Sequence, residues 1–201
     1  QLQLGYLAAA SGWHRKGIDA AAKARAWDAL DLRFPTPWRD VFTAYGNDRQ
    51  VPATELMAIA RRESAFYPEA RSSAGARGLM QVMPATAMQV ASSLGKRYAI
   101  SDLYDVEYNV TLGSAYYRQM LDLYDNNRIF TLAAYNAGPH RVDRWRNESA
   151  EALPADLWVE TIPFKETRDY VQAVLAYNVV FAHLIGDTAS LLTVKERKTR
   201  Y

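Results

Sequence analysis

The stretch whose reading decides the fold is Met57-Ala58-Ile59-Ala60-Arg61-Arg62-Glu63-Ser64-Ala65-Phe66-Tyr67-Pro68. It reads as the end of a helix that the proline stops. On a 3.6-residue repeat Glu63 shares a face with Leu56, Ile59 and Ala60 behind it and with Phe66 and Tyr67 ahead. A carboxylate therefore sits on an apolar stripe while the neighbouring arginines point elsewhere. Burial penalises the charged form and raises the pKa. A glutamate still protonated near neutral pH is a general acid. The plainer reading is a solvated residue at the rim of the stripe, and this stretch alone leaves both standing.

Outward from it, the pattern is helical almost everywhere. Leu2 to Ala10 and Ala20 to Leu32 are alanine-rich helical runs punctuated by Gly12 and Gly17, and Phe34-Pro35-Thr36-Pro37 ends them. Residues 1–33 are read as one helical segment and 34–201 as one continuous domain. A short helix is expected over Trp38 to Tyr45, and Pro52 opens the helix that carries Glu63. Residues 68–82 are rich in Ser, Ala and Gly and read as a loop with a short strand pair. Pro84 starts a helix that Gly95 ends. Asp105 to Tyr124 is amphipathic, with Leu112, Tyr116, Met120 and Leu123 on one face. Arg128 to Ala137 stops at Gly138-Pro139, and Arg141 to Trp145 makes a short turn or helix. Phe164 to Ile185 is the last long helix, striped by Val171, Val174, Leu175, Asn178 and Phe181. The expected fold class is mainly α, with at most a small β-sheet.

Composition narrows the chemistry. Of 201 residues 49% are hydrophobic and 23% charged, which is ordinary globular composition. The net charge of +2 gives no footprint for nucleic acid. With no cysteine there is no disulfide, thiolate metal site or thiol nucleophile. No run approaches the length of a membrane span. The 13 tyrosines and 5 tryptophans suit a sugar cleft, where rings stack on pyranose faces, although most tyrosines in any protein are half-buried structure. His14, His140 and His183 are scattered, and no phosphate loop, HExxH or G-x-S-x-G occurs. Asp122 to Asn127 lacks the spacing and glycine of a calcium loop. Asn147-Glu148-Ser149 is a formal glycosylation sequon of a kind that is mostly accidental.

Four polar elements interrupt apolar surroundings: Glu63; Ser72 with Gly75-Ala76-Arg77-Gly78-Leu79-Met80-Gln81; Ala134-Tyr135-Asn136-Ala137-Gly138; and Glu166-Thr167-Arg168-Asp169-Tyr170. Singly, each is explained by turn glycines, a helix end, or an acid at a helix start. Together, Glu63-Ser64, Ser72-x-x-Gly75-Ala76-x-Gly78-Leu79-Met80-Gln81, Ala134-Tyr135-Asn136-Ala137-Gly138 and Pro163-Phe164-x-Glu166-Thr167-Arg168-x-Tyr170-Val171 resemble, in order and spacing, the soluble lytic transglycosylases. These are bacterial peptidoglycan-cleaving enzymes with a goose-type-lysozyme-like catalytic domain.

The resemblance covers about residues 34 to 201 and implies a lysozyme-like α+β catalytic domain. Residues 1–33 resemble the end of the helical superhelix that precedes that domain, so the chain is expected to be a C-terminal piece of a longer periplasmic protein. By the same resemblance Glu63 is the single catalytic acid and base. Ser72 bonds near the reacting sugar, and Gln81, Met83, Tyr116, Tyr135 and Asn136 line the cleft. Glu166 attends the peptide stem of the substrate. The implied partners are peptidoglycan glycan strands with peptide stems, without nucleic acid, membrane span, metal or organic cofactor. A goose-lysozyme-type hydrolase remains the alternative if Asp102, Asp105 or Glu107 supplies a second carboxylate. A non-catalytic glycan-binding module is the other alternative.

Overall fold

A computed structural model describes residues 1–148 and 152–201. Ser149, and with it the third position of the formal sequon, lies outside the described residues. The described chain is helical, in the order α1 (Leu2–Ala10), α2 (His14–Lys23), α3 (Leu30–Arg33), α4 (Arg39–Arg49), α5 (Ala53–Ser64), α6 (Pro84–Ser93), a 3₁₀ turn (Ile100–Tyr104), α7 (Val106–Leu123), α8 (Arg128–Ala137), α9 (Pro139–Glu148), α10 (Ala155–Thr161), α11 (Lys165–Leu184) and α12 (Val194–Lys198). Strand structure among the described residues is limited to two antiparallel bridges, Arg71 with Arg77 and Arg77 with Val82.

The centre of the fold is α5. Residues Thr54 to Ala60 are buried all round, because α4 covers one side and α11 lies along another. α11 brings its expected stripe to this contact, with Val171, Val174, Leu175, Asn178 and Phe181 all buried. Phe34 closes the top, edge-on to Tyr177 at 5.1 Å and to Phe181 at 5.5 Å.

Several expectations are corrected. Gly17 does not interrupt a helix; it lies inside α2. A Cβ there would come within 2.8 Å of Leu32 and 3.2 Å of the Gly5 carbonyl, so Gly5 and Gly17 let α1 and α2 touch backbone to backbone. The expected helix from Ala20 to Leu32 is two pieces, broken at Arg25, which is left-handed at φ 52°. α4 and α9 run longer than read. α10 and α12 escaped detection, being only 7 and 5 residues long and without a full apolar period. In α7 Leu112 and Met120 are buried but Leu123 is exposed, and the buried face includes Asn109, Gly113 and Tyr117 instead.

The end of α5 also differs from the reading. Pro68 does not stop this helix. Ser64 is its last residue, and Ala65 and Phe66 follow in left-handed backbone at φ 52° and 60°. Two such non-glycine residues in a row cost about 1–3 kcal/mol each. Ser64 and Phe66 hold them in place. The Ser64 hydroxyl donates to the Leu79 carbonyl at 2.8 Å and accepts from the Tyr67 amide at 3.2 Å. Phe66 is buried edge-on to Phe42 at 6.3 Å and to Phe181 at 6.1 Å. Phe66 and Tyr67 therefore leave the Glu63 face.

Candidate active site

Glu63 sits on the last turn of α5, two residues before this strained reversal, and is partly buried. Its carboxyl is pushed up from an ordinary 4.5 to about 8 by desolvation, the largest cause, with the charge of Glu166 adding to the rise. Tyr170 and Arg62 act against it, by favouring the ionised form. Glu63 is thus an acid at neutral pH. Tyr170, only 2% exposed, lies on α11 with its hydroxyl facing Glu63. That hydroxyl closes no hydrogen bond of good geometry among the described residues. Tyr135 also feels the Glu63 charge, and burial raises its own pKa well above the usual phenol range.

The loop 70–82 faces α5 and is rigidly made. Asn109 of α7, fully buried, clamps it: Oδ1 accepts from the Met80 amide at 2.7 Å, while Nδ2 donates to the carbonyls of Arg77 at 3.0 Å and Leu103 at 2.8 Å. Gly78, at φ 76°, lies so close to this clamp that a Cβ would fall 2.3 Å from Asn109 Nδ2. Gln81 is left-handed at φ 48°, and its Nε2 donates to the carbonyls of Gly78 at 2.8 Å and Ala70 at 3.1 Å. Its amide nitrogen is therefore spent on bracing the loop. Ser72 pins the same loop: its hydroxyl accepts from the Ala76 amide at 3.0 Å. Asn109→Ala should cost about 2–4 kcal/mol, since it strands the Met80 amide and the Leu103 carbonyl and leaves the Arg77 carbonyl with only its bond from the Val82 amide. Chemical denaturation measures this, and a loss below 0.5 kcal/mol would contradict the clamp.

The remaining predicted residues divide into those that meet and those that do not. The Tyr135 hydroxyl donates to the Met80 carbonyl at 3.0 Å, tying α8 to the loop. Tyr116 packs on Tyr135 with ring centroids 5.3 Å apart, and Tyr117 packs on it from the other side at 6.2 Å. Asn136 accepts from the Thr167 hydroxyl at 2.7 Å, which joins the end of α8 to the start of α11 and sets Glu166 beside it. Glu63, Tyr116, Tyr135, Asn136, Glu166 and Tyr170 thus share one region. Met83 is exposed at the start of α6, and among the described residues no hydrogen bond joins it or Ser72 to Glu63. The sequence reading gave Tyr170 no role; its place in the run Glu166 to Tyr170, one helical turn after Glu166, was the available signal.

The three acids considered as a second carboxylate are occupied elsewhere. Asp105 caps α7 by accepting from the Tyr108 amide at 2.7 Å, Glu107 accepts from Tyr45 at 3.1 Å, and Asp102 pairs with Arg97 at 3.6 Å. No group of three or more His, Asp or Glu side chains among the described residues could hold a metal ion. No helix among them is long and apolar enough to cross a membrane.

Comparison with known proteins meets this geometry. Residues 40–157 match the family described as Transglycosylase SLT domain, and residues 161–189 match the soluble lytic transglycosylase helical domain. The chain is 40% identical over 203 residues to the soluble lytic murein transglycosylase of Escherichia coli K12, covering 100% of this chain and 32% of that protein. The 70 kDa soluble lytic transglycosylase of Escherichia coli superposes with a TM-score of 0.93 at 39% identity, over 99% of this chain and 32% of its own. An inactive glutamate-to-glutamine mutant of lytic transglycosylase Slt from Pseudomonas aeruginosa superposes with a TM-score of 0.91 at 38% identity, over 96% of this chain and 31% of its own. The chain spans about a third of the length of the curated relatives it matches. The expected mainly α, lysozyme-like fold is the one it shares with these structures. With the match over residues 40–157 taking in more than half of the sequence and the Glu63 helix inside it, the chain belongs to the Transglycosylase SLT domain family.

Proposed function

We propose that this chain cleaves the β-1,4 bond between N-acetylmuramic acid and N-acetylglucosamine in peptidoglycan without consuming water, leaving 1,6-anhydromuramoyl products. The observation that carries the reading is a glutamic acid held protonated to about pH 8 among buried tyrosines. Protonated Glu63 donates to the glycosidic oxygen. The substrate's own acetamido group holds the positive charge that develops at the anomeric carbon. Glu63, now a carboxylate basic enough to accept, takes the proton of the muramoyl 6-hydroxyl as that oxygen closes on the anomeric carbon. The intramolecular hydroxyl outruns water because its effective concentration is high.

In this reading Tyr116, Tyr135, Asn136, Gln81 and Met83 line the sugar cleft, and Ser72 reaches the reacting sugar. Glu166 attends the peptide stem. The work belongs to cell-wall turnover in the periplasm. We assign residues 1–33 to the end of a preceding superhelix; α1 to α3 pack chiefly on one another, which supports a separate unit. A second reading, hydrolysis, is favoured by one observation: Glu63 does feel another carboxylate, Glu166.

Mass spectrometry of products from purified peptidoglycan separates the two. Muropeptides one water lighter than reducing-end products are expected; reducing-end products would move the assignment to a hydrolase with Glu166 as base.

Tyr170 supplies a further test. Its hydroxyl favours ionised Glu63, so Tyr170→Phe should raise the Glu63 pKa and carry the alkaline limb of kcat/KM to higher pH than the limb near 8 in the parent protein. An unmoved limb would remove Tyr170 from the acid's surroundings.

A further inference from the structure

Arg62, beside Glu63 on the last turn of α5, has no partner in the resting protein. Among the described residues its guanidinium donates no hydrogen bond and enters no ion pair. Yet the side chain is half-buried, and its Nε is sealed from solvent with no hydrogen bond. A sealed, unbonded N–H on a cation is costly, so a duty outside the resting fold is implied.

The other cations of this corner are committed. Arg61 Nε donates to the Arg33 carbonyl at 2.8 Å, and its guanidinium lies 5.5 Å from the Phe34 centroid and 5.3 Å from that of Tyr177. On α11 Lys165 Nζ holds Asp169 at 2.6 Å, and Arg168 donates to the Ile162 carbonyl at 2.5 Å. Asp169 feels the charge of Arg62, but Lys165 already occupies it.

The groups that face Glu63 are Glu166 and Tyr170 of α11, Tyr135 of α8 and Arg62 of its own helix. Arg61 and Asp169 in turn face Arg62. No charge from α4 or from the loop 70–82 enters the balance at Glu63. Arg62 is therefore the cation that acts on Glu63. While Glu63 holds its proton, it offers Arg62 no charge to pair with. Once that proton has passed to the glycosidic oxygen, a carboxylate stands in the same desolvated place.

Resting on the transglycosylase reading above, we infer that Arg62 is a positioning residue, unpaired until Glu63 gives up its proton and then closed on the Glu63 carboxylate until the muramoyl 6-hydroxyl returns one. The guanidinium keeps its own protons throughout. The pair is stronger after proton transfer than before it, so it speeds the step that leaves charge on Glu63.

The test measures kcat and KM against pH for Arg62→Gln and Arg62→Lys on peptide-free glycan strands, and titrates Glu63 directly by carbon-13 NMR. Arg62→Gln is expected to lose about tenfold in kcat on the acid plateau with KM little changed. Its alkaline limb should move from about 8 upward by about one pH unit, because the charge that favours ionised Glu63 is gone. Arg62→Lys keeps the charge and should return the limb towards that of the parent. Arg62 is bonded to nothing in the fold, so the thermal midpoint should hold. A merely structural role would lower kcat and leave the limb in place, and an unmoved limb overturns the proposal. So does a loss confined to stem-bearing peptidoglycan, which would make Arg62 a substrate contact, or a lysine variant that keeps the limb of the glutamine variant. The NMR titration needs no turnover and separates the two readings. A parent carboxyl titrating in the ordinary range removes the acid itself, whereas one near 8 that does not rise in Arg62→Gln removes only Arg62.

Discussion

Glu63→Gln will reduce turnover of purified peptidoglycan by at least about 10³-fold while leaving glycan binding intact. The same carboxyl must first give a proton to the leaving oxygen and then take one from the 6-hydroxyl, and glutamine does neither. The amide keeps the shape and the hydrogen-bonding edge, so a loss by misfolding is not expected. Stability supplies the control. The folded state holds the Glu63 proton to about pH 8 against an ordinary value of 4.5, so burial disfavours the ionised form. The contribution of this group is fully present below pH 4.5 and is lost as pH climbs to about 8. Glutamine has no such loss. The variant should gain on the parent with rising pH, by roughly 1–3 kcal/mol at pH 8, the partial exposure of Glu63 keeping the figure in that range. Thermal melts at pH 4.5 and pH 8 read the difference. Turnover within tenfold of the parent, or a stability difference that does not grow with pH, would sink the assignment of Glu63.

Arg128→Met should destabilise the fold by about 3–5 kcal/mol. Arg128 opens α8 in a buried network that no element contains on its own. Its Nε and Nη2 meet the two oxygens of Glu196 at 2.9 and 2.7 Å, and Nη1 reaches Glu55 at 3.4 Å. Tyr117 donates to the other Glu55 oxygen at 3.0 Å, and Arg128 Nη2 also holds the Leu191 carbonyl at 3.0 Å. Burial raises the Glu55 carboxyl in spite of Arg128 and Tyr117; Glu196 is pushed up by burial too, but its bonds to Arg128 and the Thr193 backbone prevail and hold it low. Without the guanidinium, fully buried Glu196 has no counter-charge, and residues 190–201 lose their anchor to α8. A fall in Tm of about 10 °C is expected for a chain of this size. Adding Glu196→Leu to Arg128→Met should recover part of the loss, because an apolar replacement of the whole pair removes the stranded charge. A single-variant loss under 1 kcal/mol would show that the network does not hold the C-terminal segment.

Much of the fold was legible in local pattern. α1, α8 and most of α5, α6, α7 and α11 follow from apolar period and from the glycines, prolines and caps at their ends. The errors fall where local rules lose to packing. Gly17 has a breaker's propensity, yet its missing side chain serves the contact with Gly5. Ala65 and Phe66 have no propensity for left-handed backbone and are held there by Ser64 and the Phe42–Phe181 pocket. Among candidate site residues, Glu63, Tyr116, Tyr135, Asn136 and Glu166 share one region. Gln81 and Ser72 carry a bracing duty in the loop that no motif announces.

The sequence by itself determined that this protein is helical, that one glutamate stands on the apolar stripe near a helix end, and which ordered residues resemble those of a known family. These are properties of spacing along the chain, and spacing is written in one dimension. The tertiary structure alone decided how strongly Glu63 holds its proton, which hydroxyl faces it, and that Glu55, Arg128 and Glu196 form one network across separations of 73 and 68 positions. Desolvation and charge pairing depend on distance in space, and only packing α5, α8, α11 and the C-terminal turn together sets those distances.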